Sequence, residues 1–456
     1  MIFGEWKVEK TMFKLSKYNY YVTNSKDELL LYNAMAGKKS FLKVRKQNKQ
    51  QVEKVLKGIG EIEKLPDMLL SNLKEGGFVI PEAEDEKIKM RDLYLKCIAE
   101  ESLHLTVLPT EQCNFRCRYC YETFSDIFMK KDIQNILLSF ISKNISKYKD
   151  LHIAWFGGEP LIALDTILTM SEDIQQICHR HKKSYTASMT TNGYLLDTET
   201  FRKLLKANVL YYQITIDGLE ESHNAQRPLR DGRGSFDRII KNLENIRDEI
   251  KSRMFRITIR TNFSRNMLNL IPEYKLFFGE RFGNDPRFQF FFRPVMDWGG
   301  ERIEDFKEAI FEEELMGQIY STVMASKPKL NFIYDDFLQP GGSVCEAAKR
   351  NHYTVMPNGD IYKCTDDFSK CTEGKIGYLS PQDGVKLDSY QCARWLCNME
   401  NCDMENCFFA PVCLRECCPA QRVLHRKAKT KCPLEKRNLN MTLQLLDAEN
   451  NIFREI

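Results

Sequence analysis

Cysteines dominate the chemistry open to this chain, and three of them are spaced C-x3-C-x2-C: Cys113, Cys117 and Cys120. They follow directly on the apolar run 104–109. Thiolates are natural ligands of iron–sulfur clusters and of zinc. A cubane cluster has four irons, so three closely spaced thiolates would hold three and leave the fourth open to another ligand. The alternatives are a structural zinc knuckle, although zinc spacings usually come as paired C-x2-C units, and cysteines that are merely buried. The chain has 16 cysteines, most of them between Cys345 and Cys432. Secreted disulfide scaffolds are small and cysteine-dense throughout, so this clustering points to metal-binding thiols in a reducing, cytoplasmic setting.

At 456 residues, with 43% hydrophobic and 29% charged, the composition is that of a soluble protein of a few domains. No apolar run approaches the roughly twenty residues that span a bilayer, and the N-terminus lacks a signal-peptide pattern. The net charge of +4 is too weak to point to nucleic acid. Residues 1–60 carry 13 Lys/Arg against 5 Asp/Glu, a basic module suited to steering an acidic partner or simply a lysine-rich solvated surface.

The elements that must position the cysteines read as an α/β fold. Strand patterns at 103–109, 151–156, 184–190, 210–216, 256–261 and 287–293 alternate with amphipathic stretches such as 133–145, 166–181 and 236–250. Such βα units predict a parallel sheet with helices outside, open or partly closed. In barrels of this kind the loops after the strands' C-terminal ends build the active site. The first such loop carries Cys113, Cys117 and Cys120, the second Gly157, Gly158, Glu159 and Pro160, the third Thr191, Asn192 and Gly193, and the fourth Asp217. Glycine lets backbone approach a ligand, so Gly157 and Gly158 are suited to offer backbone groups to an amino acid moiety. Residues 1–100 read differently, with β-like runs at 13–22, 28–32 and 40–44 and helical patterns at 48–58, 66–75 and 83–101. The expected division is 1–100, a barrel over 101–305, a helical linker over 306–340 and a cysteine-rich region over 341–456.

The cysteine triplet, followed after the second strand by Gly157–Pro160, resembles the radical S-adenosylmethionine (SAM) enzymes, which carry a Gly-Gly-Glu-Pro-type motif at that place. The resemblance implies a partial (β/α)6 TIM-like barrel and a [4Fe-4S] cluster on Cys113, Cys117 and Cys120, whose open iron chelates SAM and whose electron releases a 5′-deoxyadenosyl radical. It further implies that Gly157, Gly158, Glu159 and Pro160 meet the SAM amino group, with Glu159 as acceptor. Thr191 and Asn192 would run beside the ribose, with Tyr119 close to the adenine. Gln213, Asp217 and Arg260 match polar strand-end positions near SAM or substrate. The run from Asp217 through His223, Asn224 and Arg227 to Asp237 resembles a signature of the subfamily with extra clusters, departing from it by Asn224 where an aspartate is usual. His223 there is an acid–base candidate or, the better reading, a loop histidine fixing its own backbone.

Cys345, Gly359 and Cys364, then Cys402-x4-Cys407-x5-Cys413-x3-Cys417 and Cys432, resemble the SPASM pattern of that subfamily. The family has x2 where this chain has x4, which leaves a choice among Cys397, Cys402 and Cys407. The resemblance implies two auxiliary [4Fe-4S] clusters, hence three in all: a distal one on Cys402, Cys407, Cys413 and Cys432, and a nearer one on Cys345, Cys364 and Cys417. One iron of the nearer cluster lacks an obvious ligand. Cys371, Cys392, Cys397 or Cys418 would fill it, or it stays open for a substrate thiol. Cys97 and Cys178 read as buried apolar residues.

Residues 17–43 look like the winged-helix-like leader-recognition domain fused to many peptide-modifying members, which binds an extended peptide as an added strand; a packing or dimerisation domain is the alternative. The whole resemblance implies a maturase that joins a cysteine sulfur to an acceptor carbon in a ribosomally synthesised precursor peptide bearing a leader. It also implies an external one-electron donor of flavodoxin or ferredoxin type, and neither nucleic acid nor membrane as partner. Rival expectations are another radical modification on the same scaffold (carbon–carbon crosslinking, epimerisation, sulfatase maturation) and a non-catalytic multi-metal peptide-binding protein.

Overall fold

Short apolar runs broken by turn residues give the first hundred residues strands β1 (Phe13–Leu15), β2 (Asn19–Thr23), β3 (Leu29–Asn33), β4 (Leu42–Val44) and β5 (Val79–Pro81), with helices α1 (Lys46–Leu56), α2 (Asp67–Glu75) and α3 (Glu86–Ala99). The computed structural model describes residues 12–99, 101–122, 124–295, 316–365, 374–397, 402, 406–415, 418–424 and 432–456. The single run expected over 13–22 is split: the Ser16 N–H donates to the Phe78 carbonyl and its hydroxyl donates to Glu86. β1 thereby leaves the β2–β3–β4 meander and pairs antiparallel with β5, a strand the sequence pattern does not announce. Successive strand residues face opposite ways. Leu29 and Leu31 of β3 enter a core with α1 and α2, while Leu30 and Tyr32 enter the main core of the molecule. A sheet covered on both faces explains why β3 reads as an unbroken apolar run.

The six expected strands are present as β6 (Leu103–Val107), β7 (Asp150–Trp155), β8 (Ser184–Thr191), β9 (Val209–Thr215), β10 (Arg256–Phe263) and β11 (Phe288–Pro294). They pair in parallel and in chain order. Helices α4 (Lys131–Asn144), α5 (Leu164–Arg180), α6 (Thr198–Lys206), α7 (Glu220–Gln226), α8 (Phe236–Glu249) and α9 (Ile271–Phe282) connect them. Ile167, Met170, Ile174 and Ile177 of α5 recur at helical spacing and are buried against the sheet core.

The cysteine-rich region continues this sheet, which the sequence pattern does not show. After helix α10 (Met316–Ala325), strand β12 (His352–Val355) lies parallel to β6, with His352 opposite His104. Antiparallel strands β13 (Asp360–Tyr362), β14 (Lys375–Ser380) and β15 (Gly384–Leu387) follow, making one sheet of ten strands. Gly359 turns β12 into β13 at φ +92°, where a Cβ would stand 2.7 Å from the Leu379 carbonyl oxygen; only glycine suits both constraints.

The end of the chain returns to its beginning. Strand β16 (Arg454–Glu455) pairs in parallel with the outer edge of β4, with Arg454 N–H on Phe41 O and Ile456 N–H on Lys43 O, both at 2.9 Å. The helix before it, Leu439–Glu449, packs on β2 and α10. It is locked by a buried ion pair: Lys275 Nζ of α9 lies 2.9 Å from both Glu449 oxygens and also donates to the carbonyls of Val323 (2.7 Å) and Ser326 (3.1 Å). Among the described residues no helix is long and apolar enough to cross a membrane.

Candidate active site

The loop after β6 carries Cys113 and Cys117, both buried, and half-buried Cys120. Its start is tied to 127–129, with the Thr110 hydroxyl donating to Ile127 O at 2.8 Å and the Met129 N–H to Pro109 O at 2.9 Å. Its middle forms a short antiparallel ladder with the segment after α7: Arg116 N–H to Pro228 O, Arg118 N–H to Gln226 O and Arg230 N–H to Asn114 O, at 2.8–3.0 Å. Burial first, then the charge of Glu159 and of the other two thiols, pushes the Cys113 thiol well up; Cys120 is pushed up to about 12 by burial and by Cys117 and Glu122. The three sulfurs thus sense one another. Among the described residues no three His, Cys, Asp or Glu side chains gather closely enough for a single ion. A cubane takes each thiolate on a different iron and so needs its ligands spread.

The loop after β7 interlocks with the cysteine loop. The missing side chains of Gly157 and Gly158 admit the cysteine loop. A Cβ on Gly157 would stand 2.4 Å from Thr110 O, and one on Gly158 2.4 Å from Glu111 O and 2.5 Å from Gln112 O. Gly158→Ala therefore has to displace backbone beside Cys113. The expected outcome is a folded protein that, after reconstitution, has lost most of the iron assigned to Cys113, Cys117 and Cys120, measured as iron per chain.

Glu159 is fully buried, and three donors fill its carboxylate: the Leu161 N–H at 3.1 Å, the Thr191 hydroxyl at 2.6 Å and the Asn192 N–H at 2.7 Å. The carboxylate fastens the β8 loop to the start of the Pro160 turn. Pro160 opens the short helix that follows. Asn192 passes the linkage on, its side-chain amide donating to Asn114 Oδ1 at 2.8 Å. Glu159 and the cysteine loop form one unit.

The fourth loop centres on Asp217, fully buried at the end of β9. Tyr119 donates its hydroxyl to Asp217 and accepts from Arg227 Nη1 at 2.5 Å and from Asn262 Nδ2 at 3.1 Å. The Asn262 N–H donates to Asp217 Oδ1 at 2.8 Å. The tyrosine that the sequence places beside an adenine is thus the hub linking the cysteine loop to β9 and β10. His223 Nδ1 accepts from the Asp217 N–H at 3.2 Å, and its Nε2 meets Ser235 Oγ at 3.0 Å. Burial and the Arg227 charge push its pKa well down, so it stays neutral and holds backbone. Asn224 takes the Ser235 and Phe236 N–H groups at 2.8 and 3.0 Å, capping α8. Arg260 projects from the same strand as Asn262 and donates to its Oδ1 at 3.0 Å. Burial and the like charge of Arg293 press on the Arg260 cation. Gln213 is half-buried on β9, in register with Thr190 and Thr258, and stays outside this network.

Of the C-terminal thiols, Cys407, Cys413 and Cys432 are neighbours. Burial, then Cys407 and Cys432, push Cys413 up to about 12, and Lys436 Nζ donates to Cys432 Sγ at 3.5 Å. Cys402 is half-buried. Cys345 begins the short helix before β12 and Cys364 follows β13. Cys345 is pushed up to about 12 by burial first, with the charge of Cys418 adding to the rise. Cys417 and Cys371 lie outside the described residues. Cys397 is buried with Sγ on Leu414 O at 3.4 Å, and Cys178 is buried in the core. The buried cysteine loop, the interlocked second loop and a buried Arg227 Nε with no hydrogen-bond partner beside Cys117 fit an iron–sulfur cluster at Cys113, Cys117 and Cys120.

Residues 107–269 match the model of the Radical SAM superfamily. Fe-coproporphyrin III synthase of Methanosarcina barkeri is 26% identical over 37% of this chain, which spans only 40% of that protein's length. A cysteine-type anaerobic sulfatase-maturating enzyme of Clostridium novyi is 24% identical over 63% of this chain and 79% of its own length. The radical SAM cyclopropyl synthase TigE of Paramaledivibacter caminithermalis is 24% identical over 70% of this chain and 69% of its own. Among solved structures, native anSMEcpe with bound AdoMet and Kp18Cys peptide superposes with a TM-score of 0.57 at 17% identity, over 77% of this chain and 99% of that one. At that identity the likeness speaks for the fold.

Proposed function

Residues 107–269 carry a radical SAM domain, and from that premise we propose that this chain is a radical SAM maturase that installs thioether crosslinks in a ribosomally made precursor peptide. The observation that carries the reading is the pairing of β12 with β6. It joins the Cys345–Cys364 segment directly to the strand that leads into Cys113, Cys117 and Cys120, which supports an auxiliary thiol set working within the same sheet as the first.

Bound at Cys113, Cys117 and Cys120, a [4Fe-4S] cluster supplies the electron for SAM cleavage, SAM supplies the hydrogen-abstracting radical, and auxiliary clusters on the C-terminal thiols supply an acceptor for the surplus electron. The protein's own residues orient and exclude. Glu159 holds two loops in register, and the buried Tyr119–Asp217–Arg227 unit ties the cysteine loop to the end of β9. The net change in the peptide breaks one C–H and one S–H bond and forms one C–S bond. Arg260 and Arg293 leave positive charge on the lumen side of β10 and β11, and Glu435 balances Arg293 at 2.5 Å.

The leader would add as a strand to the N-terminal sheet. β16 covers the β4 edge, so among the described residues the sheet's edges are the two-residue β16 and β2, whose Thr23 carbonyl already accepts from Gln444 at 2.8 Å. Support for a peptide or protein substrate also comes from the sulfatase-maturating relative and the peptide-bound anSMEcpe structure. These favour, as second reading, oxidation of a residue within a folded protein.

Co-expression with any short cysteine-containing peptide that proves to be encoded beside the gene tests both. Each crosslink should lower its mass by two hydrogens, and a leaderless version should go unmodified. An unchanged mass in an enzyme holding on the order of twelve irons per chain would sink the thioether reading. Equal modification without the leader would move the choice to the second.

A further inference from the structure

Arg227 is buried beside the cysteine loop, and nothing so far gives its charge a task. Its place follows from backbone register. Residues 114, 116 and 118 bond to 230, 228 and 226, and Phe115 bridges Leu229. Cys117 therefore faces Arg227 as a pair between the hydrogen-bonded ones, where antiparallel side chains stand closest and on the same side. The arginine is held there from both ends. Its N–H donates to His223 O at 2.7 Å, and its carbonyl accepts from Ser235 Oγ at 3.0 Å. Its Nη1 donates to Tyr119 at 2.5 Å and lies 3.8 Å from Asp217 Oδ2, while the guanidinium rests 5.8 Å from the Phe115 ring centre. The residue is 8% exposed, and Nε is buried with no hydrogen-bond partner. Buried donors left unpaired are rare in native proteins and call for a reason.

We propose that Arg227 is a positioning residue that sets the reduction potential of the cluster held at Cys117, offering Nε–H to its sulfur and a fixed positive charge to its reduced form. The inference rests on the radical SAM reading. Reduction adds one electron from the external donor and no proton, so the site becomes more negative by one charge. In a buried site that change is costly, and hydrogen bonds to sulfur and local net charge are the protein's means of adjusting it. Asp217 works against Arg227: its carboxylate, held by Tyr119 and the Asn262 N–H, offsets part of the cation. The pair therefore makes a prediction of opposite signs.

The test is a redox titration of reconstituted protein, followed by the electron paramagnetic resonance signal that changes when SAM is added. Arg227→Gln should cut the ratio of reduced to oxidised cluster at fixed potential about tenfold, a downward shift of about 59 mV for one electron. Arg227→Lys should recover part of it, and Asp217→Asn should move the potential upward. Full iron content with a wild-type potential in Arg227→Gln overturns the proposal, as do shifts of the same sign in Arg227→Gln and Asp217→Asn, which a merely structural role would give. If Arg227→Gln takes up no cluster, Asp217→Asn decides: a potential at or below wild type overturns the proposal. A wild-type signal indifferent to SAM would instead count against the radical SAM reading itself.

Discussion

Cys117→Ala should abolish reductive cleavage of SAM, measured as 5′-deoxyadenosine released under dithionite, whereas Cys432→Ala should leave that cleavage in place and abolish the proposed peptide product. Each change removes on the order of four irons per chain. The two outcomes separate because the thiols belong to different structural units. Cys117 is pinned by the ladder to 226–230 and sits against the Glu159 and Asp217 loops, so losing its sulfur removes a ligand from a loop with no spare cysteine between 114 and 177 besides Cys120. Cys432 lies with Cys407, Cys413 and Lys436, in a segment that no hydrogen bond described above ties to the loops after β6 to β9. Among the described residues it is tied to the barrel through the adjoining turn, where Glu435 accepts from Arg293 of β11. SAM cleavage lost in both variants would mean that the C-terminal thiols support the barrel itself.

Lys275→Met should be the most destabilising single change outside the cysteines. Lys275 is 0% and Glu449 3% exposed, and the pair closes α9 onto the helix Leu439–Glu449. Removing the ammonium strands a buried carboxylate and two carbonyls, a loss of about 3–5 kcal/mol. Glu449 also accepts from the Leu330 N–H at 2.9 Å, so Lys275→Met with Glu449→Gln keeps that bond while discharging the site. The double variant should regain most of the loss in chemical denaturation. If it is no more stable than the single variant, the pair is not what holds the helix.

The barrel was legible because its strands are apolar and its motifs sit where strands end, a local signal. The cysteine loop and the loops of Gly157, Thr191 and Asp217 were placed on one edge by counting strands alone. What each residue does there was less legible. Glycine after a strand reads the same whether it admits a ligand or a neighbouring loop, and Gly157 and Gly158 turn out to admit Thr110–Gln112. Arg227 appears in the sequence only as one letter of a signature, since its pairing with Cys117 depends on a ladder across more than a hundred residues. β12 and β16 were missed for the same reason: a strand of two to four residues has almost no pattern of its own and exists because a distant edge accepts it.

That distant pairing has a consequence for how the chain comes to be folded. Arg45 and Glu455, which flank the β4–β16 contact, are 410 residues apart. At roughly 5–20 residues per second of synthesis, the first sheet waits on the order of 20–80 s with its β4 edge bare. An unpaired edge is a template for any extended segment that meets it. During translation, therefore, the site at which another peptide strand could dock is open on a side that the finished molecule has closed, and the order in which the chain meets its own last strand or a foreign one becomes a matter of timing.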